Sequence, residues 1–151
     1  MDKLFMSLAL AEARKAIEFD EVPVGAVLVK DNVLIASAHN KRETNKNALA
    51  HAEMLVIQRA CEALGSWRLS GTTLYVTLEP CPMCAGAMVQ ARIDRCVFGA
   101  ADTKSGAAGS VCDLLRHPVL NHRLVVEGGL MQEESAELLK KFFVGKRAGK
   151  A

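Results

Sequence analysis

Two short stretches of the sequence collect residue types that bind metals and move protons. His51-Ala52-Glu53 opens one predicted helix, and Pro80-Cys81-Pro82-Met83-Cys84 opens another, with His51 and Cys81 thirty residues apart. Cys81 and Cys84 stand three apart, so on a first helical turn both sulfurs face one side. Pro82 suits that turn, because the N–H it lacks would have had no partner there. Two soft thiolates at this spacing are half of a zinc site, and His51 supplies a third ligand if the two helix starts converge. Three protein ligands leave one position for water, which is the arrangement of catalytic rather than structural zinc. A metal lowers the pKa of such a water from 15.7 towards ~7, so hydroxide becomes available at neutral pH. Glu53 is then placed to carry a proton from that water to a leaving amine.

The same residues admit plainer readings. A C-x-x-C pair also serves thiol redox chemistry, but such a site usually stands near the first βα unit, and this one follows the third predicted strand. Ala85 stands where a haem-attachment motif needs His. Glu53 could be a first-turn carboxylate that complements the helix dipole, a reading that leaves its company unexplained. Cys61 falls on an apolar helix face and Cys96 inside an apolar strand, so both are expected in the core. Cys112 stays open as a fourth ligand.

The elements that must position these residues follow from periodicity. Met6, Ala9, Leu10, Ala13, Ala16 and Ile17 recur at helical spacing and predict a helix over 2–19. Strands are predicted at 22–29, with Pro23 near its start, and at 33–38, joined by the turn residues Asp31-Asn32. Residues 39–50 read as loop. A helix through Met54, Leu55, Ile57, Cys61 and Leu64 ends at Gly65 as its C-cap. A strand at 72–78, a short helix at 81–91 and a strand at 95–98 come next. The small-residue segment 100–110 reads as loop, 124–126 as a fifth strand, and 133–143 as a last helix with Ala136, Leu139 and Phe143 on its apolar face. Strands alternating with helices after an opening hairpin predict a three-layer α/β/α fold on a mixed five-stranded sheet. Trp67 and Phe98 are expected as core or hinge aromatics, and His39, His117 and His122 as surface or structural histidines. Phe142 is expected about 100° away from the apolar face that Phe143 continues.

Length and composition agree with one packed domain over 1–151. Half of the 151 residues are hydrophobic and 24% are charged, which excludes a disordered or coiled-coil chain. Five cysteines, an odd number with one close pair, do not form a disulfide framework and point to a reduced, cytoplasmic compartment. The apolar run Leu4 to Ala11 loosely imitates a signal peptide, but Asp2 in the would-be basic region and Glu12 just after it favour the helix. No apolar run approaches the ~18 residues of a membrane span.

The H-x-E and P-C-x-x-C pair is the pattern of zinc nucleobase deaminases, and further segments narrow the likeness. Glu21-Val22-Pro23-Val24-Gly25-Ala26, Ala38-His39-Asn40, Ala50-His51-Ala52-Glu53-Met54 and Leu64-Gly65-Ser66-Trp67-Arg68-Leu69 are four of them. Leu74-Tyr75-Val76-Thr77-Leu78-Glu79-Pro80-Cys81, Gly106-Ala107-Ala108-Gly109-Ser110 and Asn121-His122-Arg123 complete the set. Together, across nearly the whole chain, they resemble the bacterial tRNA-specific adenosine deaminases. The resemblance implies a cytidine deaminase-like fold with one zinc per subunit on His51, Cys81 and Cys84, and Glu53 as proton shuttle. It implies hydroxide attack on C6 of the wobble adenosine in a tRNA anticodon loop, giving inosine and ammonia. It implies that Asn40 hydrogen-bonds the flipped nucleotide, that Val22 and Pro23 line its pocket, and that Asp102 and Lys104 meet the anticodon-loop backbone. It also implies a homodimer, with no membrane and no other protein partner. One departure is Asn47-Ala48-Leu49, where a Pro-Thr pair is expected in the family; it bears on loop shape beside the pocket. A deaminase of free guanine, cytosine or cytidine with the same zinc site is the alternative, and a non-catalytic zinc module is a third reading.

The net charge of +2 hides an asymmetry. Lys140, Lys141, Lys146, Arg147 and Lys150 stand in the last twelve residues with no acid among them, whereas the preceding 139 residues carry a net −3. A positive tip on a mildly acidic body suits phosphates, although such a tail can also serve solubility alone. Removing residues 146–151 is expected to weaken tRNA binding and leave the zinc site intact. Unchanged tRNA affinity at low and moderate salt would assign the tail to solubility.

Overall fold

The computed structural model describes residues 1–149. In chain order the elements are α1 (Asp2–Glu18), β1 (Gly25–Lys30), β2 (Val33–His39), α2 (Ala52–Leu64), β3 (Thr72–Leu78), α3 (Pro82–Gln90), β4 (Arg95–Ala100), β5 (Val125–Gly128) and α4 (Gln132–Gly149). The strands form one sheet in the order β2-β1-β3-β4-β5. β1 runs antiparallel to both β2 and β3, while β3, β4 and β5 are mutually parallel. The mixed sheet and its two helical layers are the architecture that the sequence predicts.

Alternation along the strands divides the core in two. Ala26, Leu28, Leu74, Val76 and Cys96 point to the face covered by α2 and α3. Val27, Val29, Tyr75 and Val97 point to the other face, where Phe5, Met6, Ala9 and Leu10 of α1 and Leu138 of α4 cover them. Helix α1 lies very close to the sheet at Gly25, where a Cβ would fall 2.0 Å from the Ala9 carbonyl oxygen. Asp31 and Asn32 both adopt positive φ, 51° and 60°, which is the type I′ geometry that matches strand twist in a two-residue hairpin. Gly65 caps α2 in the left-handed region at φ 64°.

Several boundaries differ from expectation. β1 begins at Gly25, not at residue 22, because the Val24 N–H bonds the Val22 carbonyl in a tight turn at Pro23. β4 and β5 each run two residues further than predicted, and α4 continues well past 143. The inward face of α4 is also rotated by about one residue's turn, ~100°. Buried Ser135, with Leu138, Leu139 and Phe142, faces the body, while Ala136 and Phe143 are exposed. The helix comes so close to β4 that a Cβ on Gly99 would lie 2.5 Å from the Ser135 hydroxyl. A small polar residue at the point of closest approach breaks the apolar stripe that periodicity seeks.

Phe98 is in the core, but Trp67 is not: it is 59% exposed, with the guanidinium groups of Arg68 and Arg92 5.0 and 6.0 Å from its ring. His39 and His122 are structural, bonded to Glu12 at 3.0 Å and to the Ile93 carbonyl at 2.7 Å. No helix among the described residues is long and apolar enough to cross a membrane.

Candidate active site

Helices α2 and α3 cover the same face of the sheet, and both start at the end where β3 stops. His51 is the N-cap of α2 and Cys81 the N-cap of α3, each with extended backbone (ψ 154° and 172°). Neither side chain caps its own helix, although cap positions favour Ser, Thr, Asp and Asn by about 1 kcal/mol. Both side chains turn instead towards one another. His51 Nδ1 lies 3.7 Å from Cys81 Sγ and 3.5 Å from Cys84 Sγ. With Zn–S about 2.3 Å and Zn–N about 2.0 Å at tetrahedral angles, a sulfur and a nitrogen ligand stand about 3.5 Å apart. The donor set and its spacing therefore fit a zinc ion. This is the one cluster of metal-ligating groups among the described residues. Cys112 is exposed and outside it, Cys96 is buried in the core, and Cys61 is half-buried on α2.

The electrostatics of the cluster prepare it for a cation. A hydrogen bond from Cys84, together with His51, pulls the Cys81 thiol down to about 4. Donating that bond, and burial, push Cys84 up. The bond to Cys81 raises His51 in turn. Glu53 sits in the first turn of α2 at 4% exposure, and burial, with the charge of Cys81 adding to it, pushes its carboxyl up to about 7.

The cluster floors an open cavity, the concave kind of surface in which small-molecule sites form. His51, Glu53 and Cys81 line it together with Val22, Val24, Asn40, Arg42, Asp102 and Ser105. Of the residues expected around the substrate, Asn40, Val22 and Asp102 are thus at the cavity. Pro23 is buried beside it, and its neighbour Val24 takes the lining position. Lys104 is exposed on the loop outside. Asn40 is 8% exposed; its amide donates to the Val22 carbonyl at 3.3 Å and accepts from the Arg42 N–H at 3.0 Å. The Asp102 carboxylate is taken up by its own loop, accepting from the N–H groups of Lys104 and Ser105 and from the Ser105 hydroxyl. At the departure Asn47-Ala48-Leu49, the Asn47 side chain accepts the Leu49 N–H at 2.9 Å and builds the turn itself.

Two buried acids that sequence reasoning missed hold the cavity walls. Glu79 accepts from the N–H groups of Asp102, Ala108 and Ser110 and from the Ser110 hydroxyl, at 2.5–3.1 Å. A Cβ on Gly106 would fall 2.3 Å from the Glu79 carboxyl carbon, so glycine is needed where the loop folds over that acid. Glu21, fully buried, accepts from the N–H groups of Glu43 and Thr44 and from the Thr44 hydroxyl, at 2.6–3.0 Å. The only signal in the sequence was an acid beside Val-Pro and another beside Pro-Cys. Arg42, in a patternless polar loop, gave none.

Comparison with known proteins agrees with this geometry. The model of the MafB19-like deaminase family matches residues 1–147. The tRNA-specific adenosine deaminase of Bacillus subtilis (strain 168) is 55% identical over 142 residues, 94% of this chain and 88% of its own. The chain belongs to the tRNA-specific adenosine deaminases. A solved structure described as a study of A-to-I editing by tRNA:A34 deaminases superposes on this family member with a TM-score of 0.86 at 52% identity, covering 89% of this chain and 98% of that one. The guanine deaminase of Bacillus subtilis stands further from this tRNA deaminase relative, with a TM-score of 0.64 at 30% identity over 95% of this chain and 92% of its own.

Glu21 gives a pH prediction. Burial favours its neutral acid, but the bonds from Thr44 and Glu43 outweigh that and hold the carboxyl below its usual range. A lowered folded pKa means that the contribution is complete above the unfolded value of ~4.3 and fades as pH falls through the folded one. Urea unfolding across the acid range is expected to show Glu21→Gln less stable near neutrality, with the difference shrinking towards low pH. A difference independent of pH would detach the ionised carboxylate from loop anchoring.

Proposed function

We propose that this protein is a single catalytic domain that hydrolytically deaminates adenosine to inosine at the wobble position of the tRNA anticodon, releasing ammonia. The convergence of His51, Cys81 and Cys84 beside buried Glu53, in a chain 55% identical to a tRNA-specific adenosine deaminase, carries this reading. His51, Cys81 and Cys84 hold one zinc ion per subunit. Bound there, zinc acts as a Lewis acid that makes a water nucleophilic near neutral pH.

The remaining work falls to side chains. Glu53 accepts a proton from the attacking water and delivers it to the 6-amino nitrogen as that group leaves. Its burial raises the carboxyl towards neutrality, which suits a group that both takes and gives a proton. Asn40, fixed at both ends of its amide, presents its remaining hydrogen-bonding capacity to the base edge. Val22 and Val24 pack on the faces of a base that has been taken out of its stack.

RNA specificity has a structural support in α4. Lys146 is ion-paired with Asp20, the neighbour of Glu21, which anchors the cavity-wall loop at Thr44. This pair ties the basic end of α4 to the connection between α1 and β1. Lys140, Lys141 and Arg147 remain exposed there for phosphates, while Lys150 lies outside the described residues. A homodimer has the family resemblance behind it, and exposed Val111, Val119 and Val125 provide apolar surface. The five free cysteines fit a reduced, cytoplasmic setting.

Incubation with total bacterial tRNA, and separately with free adenosine, cytidine and guanine, is expected to give inosine in tRNA. Turnover of a free base with no inosine in tRNA overturns the proposal in favour of a nucleobase deaminase. Glu53→Gln is expected to retain zinc, measured by elemental analysis, and to lose about 10²–10⁴-fold in rate. Full activity in that variant would show a different proton carrier.

A further inference from the structure

Arg42 is the one guanidinium at the cavity, and the chemistry above assigns it no task. Its backbone is pinned on both sides. The Arg42 N–H donates to Asn40 Oδ1 at 3.0 Å, and the next two N–H groups donate to buried Glu21. Its tip is not pinned. The side chain is 51% exposed, and its one charge partner among the described residues is Glu43 at 3.5 Å, itself 69% exposed. An exposed pair of that length contributes little and yields readily to a better acceptor. The result is a planar five-donor fork, fixed at its root and free at its end, beside the opening through which a base must pass.

The charges around it decide what that fork receives. Glu79 and Glu21 are buried, and their carboxylates are occupied by backbone N–H and hydroxyl donors. The Asp102 carboxylate, on another part of the wall, is already taken up by its own loop and offers an approaching phosphate no donor. An anion entering the mouth is thereby directed to the Arg42 side. His51, the other basic side chain at the cavity, is committed to the metal cluster. A free nucleobase or nucleoside carries no phosphate for a guanidinium to bind, whereas a nucleotide within a strand brings a phosphate at each side.

We propose that Arg42 is a specificity-determining residue that binds the phosphate backbone next to the nucleotide whose base occupies the cavity, with Glu21 as the positioning residue that presents it. The proposal rests on the RNA deaminase reading above and deepens it. It separates a strand substrate from a free nucleoside at the same zinc site, by a bidentate contact to a phosphate.

The test measures binding of the zinc-loaded protein to a synthetic anticodon stem-loop RNA with adenosine at the target position, by fluorescence anisotropy from ~50 to ~200 mM salt. Arg42→Ala is expected to weaken binding about tenfold at the low-salt end, as for loss of a hydrogen bond to a charged group. It is also expected to make the slope of log affinity against log salt shallower by about 0.7, the loss of one single-strand phosphate contact. Arg42→Lys is expected to restore the slope, because it returns the charge. An unchanged slope in the Ala variant overturns the proposal whatever the affinity, since a merely structural role would not alter counterion release. A Lys variant whose slope matches that of Ala overturns it as well. Arg42→Gln gives the same reading should the Ala variant fail to fold or to hold zinc. Wild-type protein that leaves the stem-loop adenosine unmodified fails the function proposed above. Wild-type protein that modifies it, with a salt slope indifferent to Arg42, fails only the present inference.

Discussion

Two helices must begin within a few ångströms of each other, and the rest of the molecule is arranged so that they do. α2 and α3 lie on one face of the sheet, and each starts at the end where β3 stops. Only there can an N-cap histidine and an N-cap cysteine present a nitrogen and two sulfurs to one point. Both helices forgo a side-chain cap to make this possible, a local loss that the packed core offsets. Parallel pairing of β3 with β4 then brings the 102–110 loop to the same end, and the β2 terminus brings Asn40. The site is thus a property of topology as much as of side chains.

Its walls are loops, and each is fixed by a carboxylate from another part of the chain. Glu21 leaves the α1–β1 connection to bind the 43–44 backbone, and Glu79 leaves the end of β3 to bind the 102–110 loop. Burying an acid is unfavourable unless it is well supplied with donors, and each of these two has several. Such an anchor orders a loop without sealing it, so the cavity stays open to solvent while its lining is held in place.

Much of this was legible in the sequence, and the failures have physical reasons. The zinc-type triad and Glu53 were readable because each element of the pattern is short-range: a turn of helix, a cap, a proline at the first position. The helices, the hairpin turn and the Gly65 cap were readable for the same reason. The inner face of α4 was not, because buried Ser135 sits where the chain passes nearest to Gly99. β1 starts late because Val22 to Val24 form a turn, which a β-branched run conceals. Glu21, Glu79 and Arg42 act through partners twenty or more residues away or through loop placement, and no local periodicity records such contacts.

The exposed Trp67 has a practical consequence. It is the only tryptophan in the chain, and it stands past the C-terminal end of α2, at the opposite end of that helix from His51, beside Arg68 and Arg92. Indole emission therefore reports on the polar turn that joins α2 to β3 and not on the cavity. An optical melt followed at that wavelength monitors the far edge of the α2 layer, so events confined to the metal cluster leave it silent.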